Sequence, residues 1–278
     1  MSYLSRIDHA FSDAPVLPLS ENGRYVLFSD CHRGIGTSND NFLKNQHLYF
    51  AALNYYYQHS FCYIELGDGD ELWENRSFSA IQNIHSNVFW LLSLFYEEHR
   101  LFMLFGNHDI AKKDFHPFSD CCFHEGLRLK DCVTGQELYL THGHQADFFN
   151  STLWRLSCFL VRYLWKPLEQ FGVLDPTSAA KNYKVKNKTE RRLQEWTKLY
   201  KKILITGHTH RPVLGSKDSL YFNTGSCVHP RCITCIELVH RELSLVKWTL
   251  STKPDHTLFV AREVLAGPVG LDDLLKYS

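Results

Sequence analysis

The chain of 278 residues is long enough for one large domain, and its apolar fraction of 44 % with 14 % aromatic residues is ample for a buried core. Thirty basic residues balance thirty acidic residues, so the overall charge does not support a surface that binds duplex nucleic acid. No apolar run approaches the roughly 18 residues of a membrane span, and the N-terminus shows no apolar signal region. We therefore expect a cytoplasmic protein.

Nine cysteines without a secretion signal predict reduced thiols rather than a disulfide framework. The tightest cluster, "CVHPRCITC" at residues 227–235, raises the question of a zinc site. However, "CITCIELV" is typical of a buried strand, in which cysteine behaves as a small hydrophobic residue. No second CxxC completes a four-ligand site, so we favour the strand.

Five short apolar segments each end in a glycine, an acid or a histidine, at residues 24–30, 61–68, 100–109, 136–144 and 201–210. Such runs are typical of strands that are buried on both faces. Helix-like stretches at residues 41–59 and 79–99 separate the first three, and this alternation predicts an α/β fold with mostly parallel inner strands. Ligands bind beyond the carboxyl ends of such strands, so the polar clusters there are expected to converge on one crevice.

From residue 219 onward the pattern changes to short strands separated by turns. We expect a final antiparallel run of strands there, which could form a second sheet packed on the first.

Residues 151–202 are helical in pattern and carry 12 basic against 4 acidic side chains, a net charge of +8 that leaves −8 for the remainder. Two interpretations stay open: a helical hairpin with a solvated basic face, or a lid over the crevice that attracts an anionic substrate or lipid headgroups. Its apolar residues, such as Trp154 and Phe159, are expected to pack against the body of the domain rather than to contact a membrane.

The strand ends together supply imidazoles, carboxylates and one amide: Asp30, His32, Asp68, Asn107, His108, Asp109, His142, His144, His208 and His210. These oxygen and nitrogen ligands suit Mn²⁺, Fe and Zn²⁺, and no thiolate majority selects a softer metal. They exceed the need of one ion and match two ions that share a bridging carboxylate. Two ions about 3.5–4 Å apart can clamp a phosphoryl group and activate a bridging hydroxide for in-line attack. The pattern therefore predicts a dinuclear metal site that hydrolyses phosphoesters.

The ordered series "SDCH", "GD", "GNHD", "HGH" and "GHTH", which spans about residues 25–235, resembles the calcineurin-like metallophosphoesterase superfamily. The resemblance implies a four-layer αββα sandwich in a single domain over residues 1–278, with a helical insertion at about residues 151–202. It also implies two divalent metal ions as cofactors, with Mn²⁺ favoured and Fe or Zn²⁺ as alternatives.

The resemblance implies seven metal ligands, one motif at a time. Asp30, His32 and His210 would bind the first ion, and Asn107, His142 and His208 the second. Asp68 would bridge the two ions. His108 would protonate the leaving oxygen or stabilise phosphoryl charge, and Asp109 would orient His108.

Four residues near the predicted ligands have alternative or supporting roles. Asp70 competes with Asp68 for the bridge, although the Gly-Asp pair at the strand end favours Asp68. Arg33 is expected either to contact phosphate by bidentate hydrogen bonds or to form a surface salt bridge. His144 is expected to support the ligands or the substrate rather than to bind metal, and Cys31 to pack behind the site.

Within the superfamily the pattern looks closest to the UDP-2,3-diacylglucosamine pyrophosphohydrolase-like branch. "ELGD" followed by an acidic-aromatic stretch, the compact size and the insertion between "HGH" and "GHTH" carry this resemblance. It implies a phosphorylated small-molecule or lipid substrate, a lid over acyl chains, and contact of residues 151–202 with the inner face of a membrane. The chain differs from that branch at two positions, because the branch typically has Arg at the position of His108 and Asp at the position of His144.

Other functions remain as alternatives. A nucleotide or general phosphodiesterase would use the same centre with a different lid. A phosphoprotein phosphatase is disfavoured because its longer "GDxxDRG" and "GNHE" motifs are not matched. A metal-free scaffold protein on the same fold predicts missing ligands, and none is missing.

Overall fold

The structure, a computed structural model, describes residues 1–37, 40–114, 118, 123–165, 168, 180 and 182–275. Within these ranges the strands are β1 (Val16–Leu19), β2 (Arg24–Phe28), β3 (Cys62–Leu66), β4 (Leu101–Leu104), β5 (Phe123–His124), β6 (Gly126–Asp131), β7 (Glu137–Thr141), β8 (Ile203–Thr206), β9 (Tyr221–Asn223), β10 (Cys232–Val239), β11 (Glu242–Thr252) and β12 (Leu258–Gly270). The helices are α1 (Tyr3–His9), α2 (Gln46–Gln58), α3 (Phe78–Ile84), α4 (Ser86–Glu97), α5 (Phe148–Ser151), α6 (Trp154–Leu160), α7 (Tyr183–Tyr200) and α8 (Leu271–Leu275). A π-helical turn, Val161–Trp165, continues α6.

The strands form two sheets, with the orders β1-β6-β7-β8-β9 and β12-β11-β10-β2-β3-β4-β5. Strands β2, β3 and β4 are parallel, as are β7, β8 and β9, and this confirms the predicted α/β class. Strands β10 to β12 form the expected antiparallel run, but β9, which lies in the same predicted region, pairs parallel with β8. However, β10 pairs with β2, so this run extends the seven-stranded sheet that contains β2 to β4 rather than forming a separate one. The five-stranded sheet contains β7 and β8, two of the segments that the sequence placed beside β2 to β4.

Three apolar clusters define the layers. The cluster between the sheets joins residues such as Ile64, Leu140 and Ile236. A second cluster packs α2 and α4 on the outer face of the seven-stranded sheet, and a third packs α1 and α7 on the outer face of the five-stranded sheet. The order helix, sheet, sheet, helix confirms the four-layer αββα arrangement.

The predicted helix at residues 79–99 is two helices, because the chain breaks at His85 between α3 and α4. His85 is fully buried, and its Nε2 lies 2.8 Å from Asp40 Oδ2. The break therefore accompanies a long-range polar contact, which apolar spacing alone does not reveal.

The structure describes two parts of the predicted insertion at residues 151–202, and they differ in how they pack. Helix α7 belongs to the body of the domain, since Leu193 and Trp196 are buried and Trp196 Nε1 donates to Asp8 Oδ1 at 2.8 Å. In α6 and the π-helical turn, Phe159 and Tyr163 are 58 % and 52 % exposed, so the expectation that this apolar stripe packs against the body is wrong for them. No helix among the described residues is both long enough and apolar enough to cross a membrane.

The cluster between the sheets is expected to dominate stability. Ile64→Ala in β3 removes a fully buried side chain, so the free energy of unfolding should fall by about 2–5 kcal/mol in urea titrations. The matched control is Val133→Ala, whose side chain is 57 % exposed and which should change stability by about 0.5 kcal/mol or less. Equal stability of the two variants would contradict this assignment of the core.

Candidate metal centre

Strands β2, β3 and β4 of one sheet and β7 and β8 of the other end near one another, and the predicted site residues follow these ends. Convergence is therefore achieved across both sheets rather than at the edge of one. The described residues include three groups that could hold a metal ion at this place, of which the first two consist of predicted ligands: Asp30, His32 and His210; Asp68, His142 and His208; and His32, Glu71 and His108. None of the candidate metal-binding groups in the described part of the chain contains a cysteine.

Five of these residues have a backbone conformation that side chains other than glycine rarely adopt. Their φ angles are positive, between 48° and 67°: Asp30, His32, Asp68, His208 and His210. Each such residue costs on the order of 1–3 kcal/mol and persists where the surrounding structure fixes it, commonly at functional sites. The sharp turns after β2, β3 and β8 thus aim successive polar side chains into one small volume.

In the first group the imidazoles and the carboxylate approach closely. His210 Nε2 lies 3.1 Å from Asp30 Oδ1 and 3.3 Å from His32 Nε2. His32 Nε2 lies 3.8 Å from Asp30 Oδ1. Within the described structure, Asp30 Oδ1 is buried without a hydrogen bond. This is the arrangement expected of ligands that surround a cation.

In the second group, His142 Nδ1 donates to the carbonyl oxygen of Leu66 at 2.8 Å. That bond places the lone pair of a neutral His142 on Nε2, which lies 3.1 Å from Asp68 Oδ2. Two electron-rich atoms that face each other in a buried site repel unless a positive charge lies between them. Asp68 Oδ2 also lies 3.9 Å from His32 Nε2, so Asp68 stands between the two groups.

Asn107 and His208 extend the same pattern. Asn107 Oδ1 and His208 Nε2 are buried without hydrogen-bond partners among the described residues. A buried polar atom without a hydrogen bond costs about 1–3 kcal/mol. A bound metal ion would remove this cost by coordinating the atom. The residues present therefore fit divalent cations with oxygen and nitrogen ligands.

The pKa values of two histidines in the protein without metal also reflect the buried negative charge. Burial opposes a charge on His142, yet the Asp68 and Asp30 carboxylates raise its pKa to about 9. Burial likewise opposes a charge on His32, but its hydrogen bond to Glu71 and the charge of Asp68 raise its pKa to about 10. At these two histidines the carboxylates thus attract protons that bound metal cations would replace, whereas burial lowers the pKa of His210 to about 4 despite the nearby Asp30.

Glu71 is a site residue that the sequence assigned no role. Its carboxylate is 1 % exposed and bridges two imidazoles, with Oε2 2.9 Å from His32 Nδ1 and Oε1 2.8 Å from His108 Nδ1. A carboxylate on the second nitrogen of a histidine fixes its orientation and increases its basicity as a ligand. The acidic stretch "GDGDELWEN" was the available signal, although it did not single out Glu71.

The prediction that Asp109 orients His108 is wrong, because Glu71 occupies that place. Asp109 instead accepts hydrogen bonds from the backbone N–H groups of Asp68, Gly69 and Gly106 at 2.7–3.1 Å. It also accepts one from Lys112 Nζ at 2.8 Å. Asp109 therefore ties together the loops that follow β3 and β4, which carry Asp68 and Asn107.

The prediction that Arg33 contacts phosphate or forms a surface salt bridge is also wrong. Arg33 is fully buried, with Nε 2.7 Å from Asp70 Oδ1 and Nη1 2.9 Å from Glu65 Oε2. Asp70 is directed into this ion cluster, which leaves Asp68 as the bridging candidate. The acidic group of Glu65, Asp70 and Asp109 is compensated by Arg33 and Lys112 and so does not call for a metal ion.

His144 and Cys31 lie behind the two groups. The His144 ring is buried, 5.5 Å from that of His142, and burial together with the charges of His142 and His208 holds its pKa well below the usual range. Its predicted part in supporting the ligands or the substrate stays a prediction. Cys31 is fully buried in the cluster beneath α2, as expected.

Comparison with known proteins adds little to this geometry. No protein-family model and no curated protein matches the chain. Among solved structures, the chain is similar to Vps29 of Chaetomium thermophilum, with 12 % sequence identity and a TM-score of 0.39. The similarity covers 87 % of this chain and 96 % of that one. A likeness this weak supports neither a fold assignment nor a function.

Close packing around Asp68 provides a test of the centre. A Cβ atom at Gly106 would overlap Asp68 Oδ1, so Gly106→Ala should displace the carboxylate and weaken Mn²⁺ binding at least about tenfold in calorimetric titrations. Gly270→Ala is the matched control, because its added Cβ would meet only Asp273 Oδ2, at 3.7 Å. Unchanged Mn²⁺ affinity in Gly106→Ala would show that Asp68 is not a ligand.

Proposed function

We propose that this protein is a metal-dependent phosphoesterase that uses two divalent cations, Mn²⁺ first among them, to hydrolyse a phosphoester or pyrophosphate bond. The observation that carries the proposal is the position of Asp68 Oδ2, 3.1 Å from His142 Nε2 and 3.9 Å from His32 Nε2. One buried carboxylate between two imidazole groups matches the bridging position of a dinuclear centre. The resemblance of the strand-end motifs to metallophosphoesterases supports the same proposal.

When bound, such ions would polarise a phosphoryl oxygen and lower the pKa of a bound water. The first ion would be held by Asp30, His32 and His210, and the second by Asn107, His142 and His208, with Asp68 common to both.

His108 is the proposed proton donor to the leaving oxygen. Glu71 Oε1 lies 2.8 Å from His108 Nδ1, and the His108 side chain is 20 % exposed. Nε2 of His108 is therefore the nitrogen that would exchange a proton with substrate. The pKa of His108 is raised, because the charges of Glu71 and Asp68 outweigh the opposing effect of burial. The protonated form that a general acid requires is thereby favoured.

The proposed substrate class is a phosphorylated small molecule or lipid, with a UDP-diacylglucosamine-like lipid nucleotide as the leading candidate. A group of large apolar side chains supports a lipid: they are 42–58 % exposed and belong to α5, α6 and the π-helical turn, namely Phe148, Phe149, Leu156, Phe159, Tyr163 and Leu164. This surface would receive acyl chains and would place the protein at the inner face of a membrane. Helix α7 packs into the body, so the proposed lid is restricted to α6 and the residues around it.

The catalytic proposal is tested by Asp68→Ala in a panel of phosphomonoesters, phosphodiesters, nucleotides and UDP-sugar lipids with Mn²⁺. Loss of the shared carboxylate should lower kcat/KM at least about a hundredfold. Asp13→Ala, at an exposed position, is the control and should retain full activity. Hydrolysis that survives in Asp68→Ala would contradict the dinuclear proposal, and a wild-type protein that neither hydrolyses the panel nor binds Mn²⁺ would favour the scaffold alternative.

The lipid proposal is tested by the double substitution Leu156→Ser and Phe159→Ser, which removes two exposed apolar side chains from α6. KM for a UDP-diacylglucosamine-like lipid should rise at least about tenfold, while KM for a water-soluble nucleotide stays constant. Leu156 and Phe159 are 49 % and 58 % exposed, so burying the exposed half of each side chain contributes about 0.8–1.5 kcal/mol, and about 1.4 kcal/mol is a factor of ten. Leu250→Ser, at an equally exposed position on β11, is the control. Equal KM values for the lipid in all three proteins would exclude α6 as its binding surface.

A further inference from the structure

His108 is confined by an aromatic neighbour as well as by Glu71. The Trp73 indole stacks on the His108 imidazole, with ring centroids 4.2 Å apart and an interplanar angle of 24°. The edge of His32 meets the imidazole with a centroid distance of 4.8 Å. Trp73 is only 3 % exposed, so it forms a fixed wall for the imidazole. The orientation of the proposed proton donor therefore depends on the position of Trp73.

The position of Trp73 in turn depends on the helical segment over the site. Arg162, in the π-helical turn, donates from Nε to the carbonyl oxygen of Trp73 at 2.6 Å and from Nη2 to that of Leu72 at 2.9 Å. Arg76, in the same loop as Trp73, also donates to the hydroxyl of Tyr163. A guanidinium holds two consecutive carbonyl groups in one plane, which the single ammonium group of lysine does not reproduce.

We propose that Arg162 is a positioning residue for His108: its guanidinium fixes the loop that carries Trp73, and the Trp73 ring fixes the imidazole. This role rests on the proposed function, because it assumes that His108 is the proton donor. It adds that proton transfer is coupled to the segment formed by α6 and the π-helical turn. The same segment exposes Phe159 and Tyr163. A substrate that contacts these two side chains would therefore contact the segment that orients His108.

The test compares two phosphodiesters that differ only in the leaving group, a p-nitrophenyl ester and an alkyl ester. A poor alkoxide leaving group needs protonation and a nitrophenolate does not, so Arg162→Met should lower kcat for the alkyl ester about tenfold and leave the nitrophenyl ester nearly unchanged. KM and bound metal should stay constant, and Arg162→Lys should give an intermediate kcat. Arg24→Met is the matched control, because Arg24 also donates to a carbonyl oxygen, that of His59, at 3.3 Å.

A fall in kcat that is equal for both esters, or a loss of bound metal, would assign Arg162 a merely structural role and overturn the proposal. The histidine side-chain NMR spectrum of the metal-free protein gives a second readout that needs no turnover. Because the Trp73 ring current acts on His108, Arg162→Met should shift the His108 signals while Arg24→Met leaves them in place. Unshifted signals would overturn the positioning role even if the protein hydrolysed nothing, whereas shifted signals without hydrolysis would count against the proposed function alone.

Discussion

Two carboxylates buried among imidazoles are the constraint on which the rest of this structure depends. Asp30 is fully buried and Asp68 is 2 % exposed, and buried charges are costly unless they are paired or bind metal. The left-handed turns after β2 and β8 bring His32 and His210, and the end of β7 brings His142, close enough to compensate them. Gly106 is required because any larger residue would collide with Asp68. The shape of the loops is thus explained by the need to surround two negative charges.

A second set of buried charges keeps those loops in place. Asp109 accepts four backbone hydrogen bonds from the loops after β3 and β4, and Lys112 neutralises it from a fully buried position. Arg33 joins the loop after β2 to Glu65 and Asp70. Removing one partner of such a network leaves an uncompensated buried charge, which is strongly destabilising. The candidate ligands are therefore held on a rigid support, as a preorganised site requires.

The strand ends could be predicted from the sequence because apolar runs that stop at Asp, Asn or His leave a local pattern, and parallel strands end at a common edge. Pairings between distant side chains leave no such pattern. Glu71 and His108 are separated by 37 positions, and their contact depends on how two loops meet. For the same reason the sequence assigned orientation of His108 to the adjacent Asp109, placed Arg33 toward substrate, and missed the helix break at His85. Motif resemblance identifies candidate ligands at the strand ends, but the hydrogen-bond partners of those residues are revealed only by the fold.

The central claim is that the two groups around Asp68 hold two divalent cations. Elemental analysis of the purified full-length chain, after exposure to Mn²⁺ and dialysis against metal-free buffer, tests it most directly. Two metal ions per chain are expected for the wild type, and fewer than two for Asp68→Ala. A wild-type protein that retains no metal, or a variant that retains as much as the wild type, would contradict it.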